Sequence, residues 1–208
     1  MAAEMECLVL VKGRYTHSGG CDFKLPKPIK ICGQGIGETI LDGFGLQILG
    51  SKSNGSVVIE DLSIQGGGGQ GLVAQNGMDL IVRRCKVEKF QYHGVYAENT
   101  HISCDNVQVV GCGHSGVVVC SGGTVKLSGE TTRIEGNVTC GDRRCYGLET
   151  YDSSSKIQIV TPLTKDTISF SNGGGGNWGG PGTIEQVSEQ VSGGSAGESK
   201  SNSSTPNK

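Results

Sequence analysis

A stretch of nine residues with alternating apolar side chains recurs through the middle of this chain. Ser56-Val57-Val58-Ile59-Glu60-Asp61-Leu62-Ser63-Ile64 aligns without gaps on Asp79-Leu80-Ile81-Val82-Arg83-Arg84-Cys85-Lys86-Val87 at an offset of 23. That segment aligns in turn on His101-Ile102-Ser103-Cys104-Asp105-Asn106-Val107-Gln108-Val109 at an offset of 22. The same registers carry Gly71-Leu72-Val73-Ala74 onto Gly94-Val95-Tyr96-Ala97 and then onto Gly116-Val117-Val118-Val119. Looser matches at Gly45-Leu46-Gln47-Ile48 and Gly147-Leu148-Glu149-Thr150 extend the series both ways. A period of 20 to 50 residues marks a solenoid or a propeller, and it constrains the fold more than any single motif.

Within each unit the apolar residues follow period two, the mark of a strand with one buried face. Val57, Ile59, Leu62 and Ile64 define that face, with a bend at Glu60-Asp61, and Leu72 and Ala74 resume it after a Gly-rich turn. No unit holds a helical pattern long enough for a crossover helix. A leucine-rich repeat would show leucines at fixed spacing with an Asn or Cys in the frame. The inward set here is rich in Val and Ile instead. Glycine supports the same reading: 36 residues of 208, without the every-third spacing of collagen, fit a tight turn in each unit.

The expected fold is therefore all-β, a right-handed parallel β-helix of single-stranded type with about seven coils of 22 to 23 residues between Cys7 and about Gly180. Strands stacked about 4.8 Å apart would give a rod on the order of 30 Å long. Stacking predicts inward columns at Val57, Leu80, Ile102, Val125 and Ile157, at Ile59, Val82, Cys104, Leu127 and Ile159, and at Leu72, Val95, Val117 and Leu148. The helix domain is expected over residues 1–184, with Trp178 closing the end of the core. A Ser/Gly-rich tail, 185–208, is too polar to bury a core and is expected to be disordered.

The cues Ile31-Cys32-Gly33-Gln34-Gly35, Thr39-Ile40-Leu41-Asp42-Gly43 and the repeated Gly-apolar rungs resemble the pectin-lyase-like superfamily. Tyr146-Gly147-Leu148-Glu149-Thr150-Tyr151-Asp152 and the Asn-Trp-Gly-Gly end look closest to β-helix-repeat proteins of algae and other protists. The resemblance implies a fold shared by lyases, hydrolases, epimerases, adhesins and scaffolds, so function has to come from the site. The signatures of the catalytic members are absent: neither clustered aspartates with Gly-His-Gly nor an Asp-Pro-His-Glu stretch occurs, and Gly113-His114-Ser115-Gly116 is the nearest approach.

Charge excludes one class of partner. With 18 Lys and Arg against 20 Asp and Glu, net −2, the chain lacks the basic excess of an electrostatic nucleic-acid binder. No apolar run is long enough to span a membrane. The first residues lack a signal-peptide pattern, and the nine cysteines read as reduced thiols, which together point to the cytoplasm with secretion left open. Partners are then a protein or a polysaccharide, with no cofactor and no metal centre expected.

Two outward clusters stand out as candidate ligand contacts. Tyr92, His93 and Glu98 lie on one coil, and His114 falls beneath Tyr92 on the next. Two imidazoles and a phenol at one turn suit binding of a sugar or a metal, or proton transfer, although His and Tyr before a turn glycine also serve the turn itself. The column Glu60, Arg83, Asp105 reads first as exposed ion pairs and second as a contact for an acidic sugar. Asn76, Asn99, Ser121 and Asp152 read as a polar ladder serving the turns. Cys85 and Cys104 sit at inward positions, whereas Cys140 and Cys145 bracket the one break in the repeat, open to a disulfide, a metal clip or an ordinary loop. Two functions remain: a non-catalytic module presenting flat faces to a protein, or a carbohydrate-binding or carbohydrate-active β-helix of lyase or epimerase type.

Overall fold

The computed structural model describes residues 5–17, 22–51 and 55–189. Every coil contributes three strands. β1 (Glu6–Val9), β2 (Gly13–Thr16) and β3 (Phe23–Leu25) form the first coil, and β4 (Ile29–Cys32), β5 (Thr39–Asp42) and β6 (Leu46–Ile48) the second. β7 (Ser56–Glu60), β8 (Ser63–Gln65) and β9 (Leu72–Gln75) form the third, then β10 (Asp79–Arg83), β11 (Lys86–Glu88) and β12 (Val95–Glu98) the fourth. β13 (His101–Asp105), β14 (Gln108–Val110) and β15 (Val117–Cys120) are followed by β16 (Thr124–Ser128), β17 (Arg133–Glu135) and β18 (Leu148–Thr150). β19 (Lys156–Val160), a single helical turn α1 (Lys165–Ile168), β20 (Ser169–Phe170) and β21 (Trp178–Gly179) complete the seventh coil, and β22 (Thr183–Val187) opens an eighth.

Stacking gives three parallel sheets, one of eight strands and two of seven. The first runs β1-β4-β7-β10-β13-β16-β19-β22, the second β2-β5-β8-β11-β14-β17-β20, and the third β3-β6-β9-β12-β15-β18-β21. The expected columns follow from the pairing. Val57, Leu80, Ile102, Val125 and Ile157 are partners in sequence along the first sheet, as are Ile59, Val82, Cys104 and Leu127. All are essentially inaccessible to solvent. In the third sheet Leu46, Leu72, Val95, Val117 and Leu148 stack, and Trp178 takes the next place, with the Lys165 ammonium 4.7 Å over its ring. Each fully buried Leu, Ile or Val contributes about 1.5–3 kcal/mol relative to exposure, so the columns carry most of the favourable free energy.

The recurring glycine has a different cause from the tight turn expected of it. Gly71, Gly94 and Gly116 do not adopt positive φ. A Cβ on Gly94 would collide with Val109 Cγ1 and sit 2.8 Å from the Gly116 carbonyl oxygen; one on Gly116 would sit 2.5 Å from Ile134 Cγ2. The chain enters the third sheet pressed against the second, and no side chain fits there. Left-handed backbone occurs instead at other turn positions, among them the third-to-first turn, where Asn76 and Asn99 both have φ of 48° and the Asn99 amide donates to Asn76 Oδ1 at 3.0 Å. Asn tolerates that conformation better than most residues, so this ladder serves the turns.

The boundary expected at residue 184 is corrected. β22 crosses it, with Ile184 opposite Ile157 and Val187 opposite Val160. Ile184 extends the Val57 column by one rung and packs against the core, an apolar signal masked by its polar neighbours. Residues 190–208 of the expected tail lie outside the described residues. At the opposite end the mouth of the first coil is apolar, lined by Leu8, Leu10, Tyr15 and Phe23 among others around about 270 Å³.

Two substitutions test this packing. Val82→Asp puts a carboxyl into the core and should cost on the order of 5 kcal/mol, giving an unfolded or aggregated chain by circular dichroism. Gly94→Ala should lower stability by about 1–3 kcal/mol in urea titration; a neutral Gly94→Ala would show that the backbones can part there.

Candidate functional site

On the outside of the third sheet the residues that face away from the core also stack. Val73, Tyr96, Val118 and Glu149 are successive partners, and Glu98 pairs with Cys120 beside them. This outward strip is the floor of a cavity of about 580 Å³ lined by His93, Tyr96, Glu98, His114, Val118, Cys120, Ser121, Asp142, Arg144, Cys145, Glu149 and Tyr151. Small-molecule sites typically enclose about 300–1,000 Å³.

One wall comes from the break in the repeat. The link between β17 and β18 covers 136–147, where the preceding coil covers 111–116. The longer link still stacks where it can. The buried Asn137 accepts from the Cys112 amide and donates to the Val109 carbonyl, both at 3.0 Å, and Val138 and Cys140 donate to the His114 and Gly113 carbonyls. The remainder projects over the third sheet. Asp142 is fastened to Arg144, accepting from its backbone amide at 3.0 Å and its guanidinium at 2.8 Å, which holds the Asp142 carboxyl down at about 2. Cys140 and Cys145 are free thiols, the first exposed and the second buried, so no disulfide clips this loop.

The opposite wall is the imidazole pair. His93 and His114 lie edge to face with ring centroids 5.4 Å apart, and Tyr92 stacks on His114 at 5.1 Å. His114 Nδ1 lies 3.8 Å from Cys145 Sγ, joining the turn to the inserted loop. Burial, and then the charge of His114, pull His93 down to about 4, and its Nδ1 is enclosed without a hydrogen-bond partner among the described residues. At neutral pH His93 is therefore uncharged.

Two carboxyls on the floor differ in environment. Glu149 is buried and accepts a hydrogen bond from the Ser115 hydroxyl; desolvation raises its pKa and the Ser115 bond only partly offsets that. Glu98 accepts from the Gln75 amide at 2.7 Å, and Gln75 in turn accepts from Gln47 at 3.1 Å. Between them the Cys120 thiol donates to the Tyr96 hydroxyl at 3.1 Å, and burial pushes the Tyr96 phenol well above its usual value. Tyr151 stands 71% exposed at the far rim.

Of the residues singled out in the sequence, His93, Glu98 and His114 share this cavity, and Tyr92 braces His114 from outside it. Glu60, Arg83 and Asp105 lie on a different face, as a single column of the first sheet. There Glu60 is engaged by Lys30 at 2.6 Å, Arg83 at 3.8 Å and Arg84 at 3.7 Å, while Arg84 forks onto Asp61 at 2.6 and 2.7 Å. Sequence reading missed Tyr96, Glu149, Asp142, Arg144 and Tyr151. The first two were accessible from the repeat register, since Tyr96 and Glu149 follow the Val95 and Leu148 rungs by one residue.

The geometry thus defines a parallel β-solenoid with an open cleft walled on one side by an inserted loop. The family model described as a right handed beta helix region matches residues 36–161, more than half of the chain, and the protein belongs to that family. No curated protein and no solved structure matches it.

The burial of His93 predicts a pH effect on stability. Its folded pKa, about 4, lies below the ordinary 6.5, so between these values the unfolded chain binds the extra proton and stability falls as pH drops. The loss reaches about 2 kcal/mol at pH 5 for the values just given. Glu149, raised in the fold, pulls the other way, so the variant comparison isolates the imidazole. His93→Asn should shrink the difference between thermal midpoints at pH 7 and pH 5; an unchanged difference would mean that His93 is solvated.

Proposed function

We propose that this protein is a β-helix binding module whose cleft on the third sheet takes up a neutral saccharide. The carrying observation is the cleft itself: aromatic rings at Tyr96 and Tyr151, carboxyls at Glu98 and Glu149, and imidazoles at His93 and His114 around one cavity. Sugars present hydroxyls that both donate and accept, matched by carboxylates, imidazoles and phenols, and apolar ring faces, matched by aromatic side chains. The resemblance to pectin-lyase-like proteins supports a saccharide, although by itself it would suggest an acidic one.

Charge argues for a neutral rather than an acidic ligand. The cleft holds Glu98, Asp142 and Glu149 against one guanidinium, Arg144, and Asp142 already engages that group. A uronate polymer would meet mostly negative potential there. The Glu60, Arg83 and Asp105 column offers acidic chains little more, because its cations close on Glu60 and Asp61. A protein partner along that flat first sheet is the second reading, favoured by the alternation of Lys30, Glu60, Arg83 and Asp105 from rung to rung. The matched charges there leave less unpaired chemistry than the cleft does.

Calorimetry of the purified chain with neutral and uronate oligosaccharides separates these readings. Neutral ligands should bind, Tyr151→Ala should weaken binding about tenfold, and the thermal midpoint should hardly change because Tyr151 is exposed. Preferential uronate binding lost in Arg83→Ala would move the site to the first sheet. No saccharide binding at all would leave the protein-partner reading. Assay of the same mixtures for new reducing ends or unsaturated products reads any turnover.

A further inference from the structure

The outward face of the first sheet carries a pair of thiols far along the chain from the cleft residues. In the parallel register Cys7 lies opposite Lys30 and Cys32 opposite Val9, while Leu8 and Ile31 between them continue the inward column. Both cysteines therefore project outward from adjacent rungs, a diagonal step apart. Their sulfurs stand 4.0 Å apart as free thiols, with Cys7 exposed and Cys32 half-buried.

That separation is informative. A disulfide would require the sulfurs to close to about 2.05 Å. An ion held by both, at a metal–sulfur length near 2.3 Å, asks for roughly 3.8 Å if the angle at the metal is tetrahedral and roughly 4.6 Å if the three atoms are in line. The observed 4.0 Å lies between these limits, and a linear ion asks the sulfurs to open by roughly 0.6 Å, a movement of the exposed Cys7 side chain that leaves the β1–β4 pairing intact. The number of donors narrows the choice of ion. Among the described residues no three His, Cys, Asp or Glu side chains converge on one point, so the site offers two thiolates and no more. Zinc takes at least three protein ligands and calcium six to eight oxygens, whereas a soft monovalent ion is content with two thiolates.

We propose that Cys7 and Cys32 form a two-thiolate site for a soft monovalent metal ion, with copper(I) as the matching chemistry. Two thiolates and one copper(I) leave a net charge of −1. Lys30 lies opposite Cys7 and close enough to Cys32 for their charges to interact, which supplies the compensating ammonium. Glu60 accepts from the Cys32 thiol at 3.4 Å and shares Lys30 with the complex, so Lys30, Arg83 and Arg84 together balance Glu60, Asp61 and the bis-thiolate. Binding balances as two S–H groups and one copper(I) giving the bis-thiolate complex and two protons, with no change of oxidation state. Both thiols must lose a proton to bind, so uptake releases two protons per ion and strengthens as pH rises.

The test is an anaerobic titration of the full chain with copper(I) against a competing colorimetric chelator. One ion per chain should bind, and apparent affinity should rise at least tenfold per pH unit between pH 6 and 8. Cys7→Ser and Cys32→Ser should each abolish that uptake while circular dichroism stays unchanged, since Cys7 is exposed and the substitution at Cys32 is nearly isosteric. X-ray absorption at the copper edge should show two sulfur neighbours. Uptake that survives the double variant, three or more sulfur neighbours, or copper-dependent dimers through Cys7 would each overturn the proposal. Should Cys32→Ser fail to fold, Cys7→Ser alone decides.

Discussion

Everything in this molecule depends on one constraint: each strand hydrogen-bonds to the equivalent strand of the coil before and after it. A parallel stack leaves no freedom of register, because a slip by one residue would turn every inward side chain outward. The backbone ladders thus convert a sequence period into columns. Val57, Leu80, Ile102, Val125 and Ile157 pack as a file because their amides and carbonyls are already paired in that order. The same ladders bring the coils close enough to exclude any side chain at Gly94 and Gly116.

The outer faces inherit this order without needing it. On the first sheet the outward column is charged and self-matched, Lys30 and Arg83 closing on Glu60, and exposed pairs of this kind contribute about 0–1 kcal/mol each. On the third sheet the outward column holds Tyr96, Val118 and Glu149, and here solvent is partly excluded by the loop over residues 136–147. Burial raises Glu149 and, with the charge of His114, lowers His93, two shifts that both favour the uncharged form of a group taken out of water. A β-solenoid face becomes a site when something covers it.

This division explains what was legible in the sequence. The period, the inward columns and the family-level fold were readable because apolar alternation at offsets of 22 and 23 is a local signal repeated many times. The glycine column was seen but given the wrong cause, since crowding between Gly94 and Val109 depends on how the second and third sheets meet and not on the turn alone. The end of the helix was placed three residues early because the two apolar residues of the last rung, Ile184 and Val187, stand within a polar stretch and do not alternate. Of the cleft, His93, Glu98 and His114 were readable, being unusual residues within regular rungs. Asp142 and Arg144 were not, since an insertion suspends the register by which the repeat assigns positions.

The insertion also shows how a repeat protein acquires chemistry with little loss of stability. Asn137 bonds to Cys112 and Val109 below, and the loop is held from above where Gly173 and Gly175 donate to the Asn137 and Cys145 carbonyls. Asp142 and Arg144 then fasten that loop to itself rather than to the core. The side chains of Asp142 and Arg144 can therefore change with less effect on the columns than the loop backbone, which both neighbouring coils hold. The floor residues have no such freedom. Tyr96 and Glu149 alternate with Val95, Ala97, Leu148 and Thr150, which are fully buried, so their spacing is set by the core they turn away from. The loop thus supplies the side chains that the repeat does not dictate, and the repeat sets the geometry of the surface beside it.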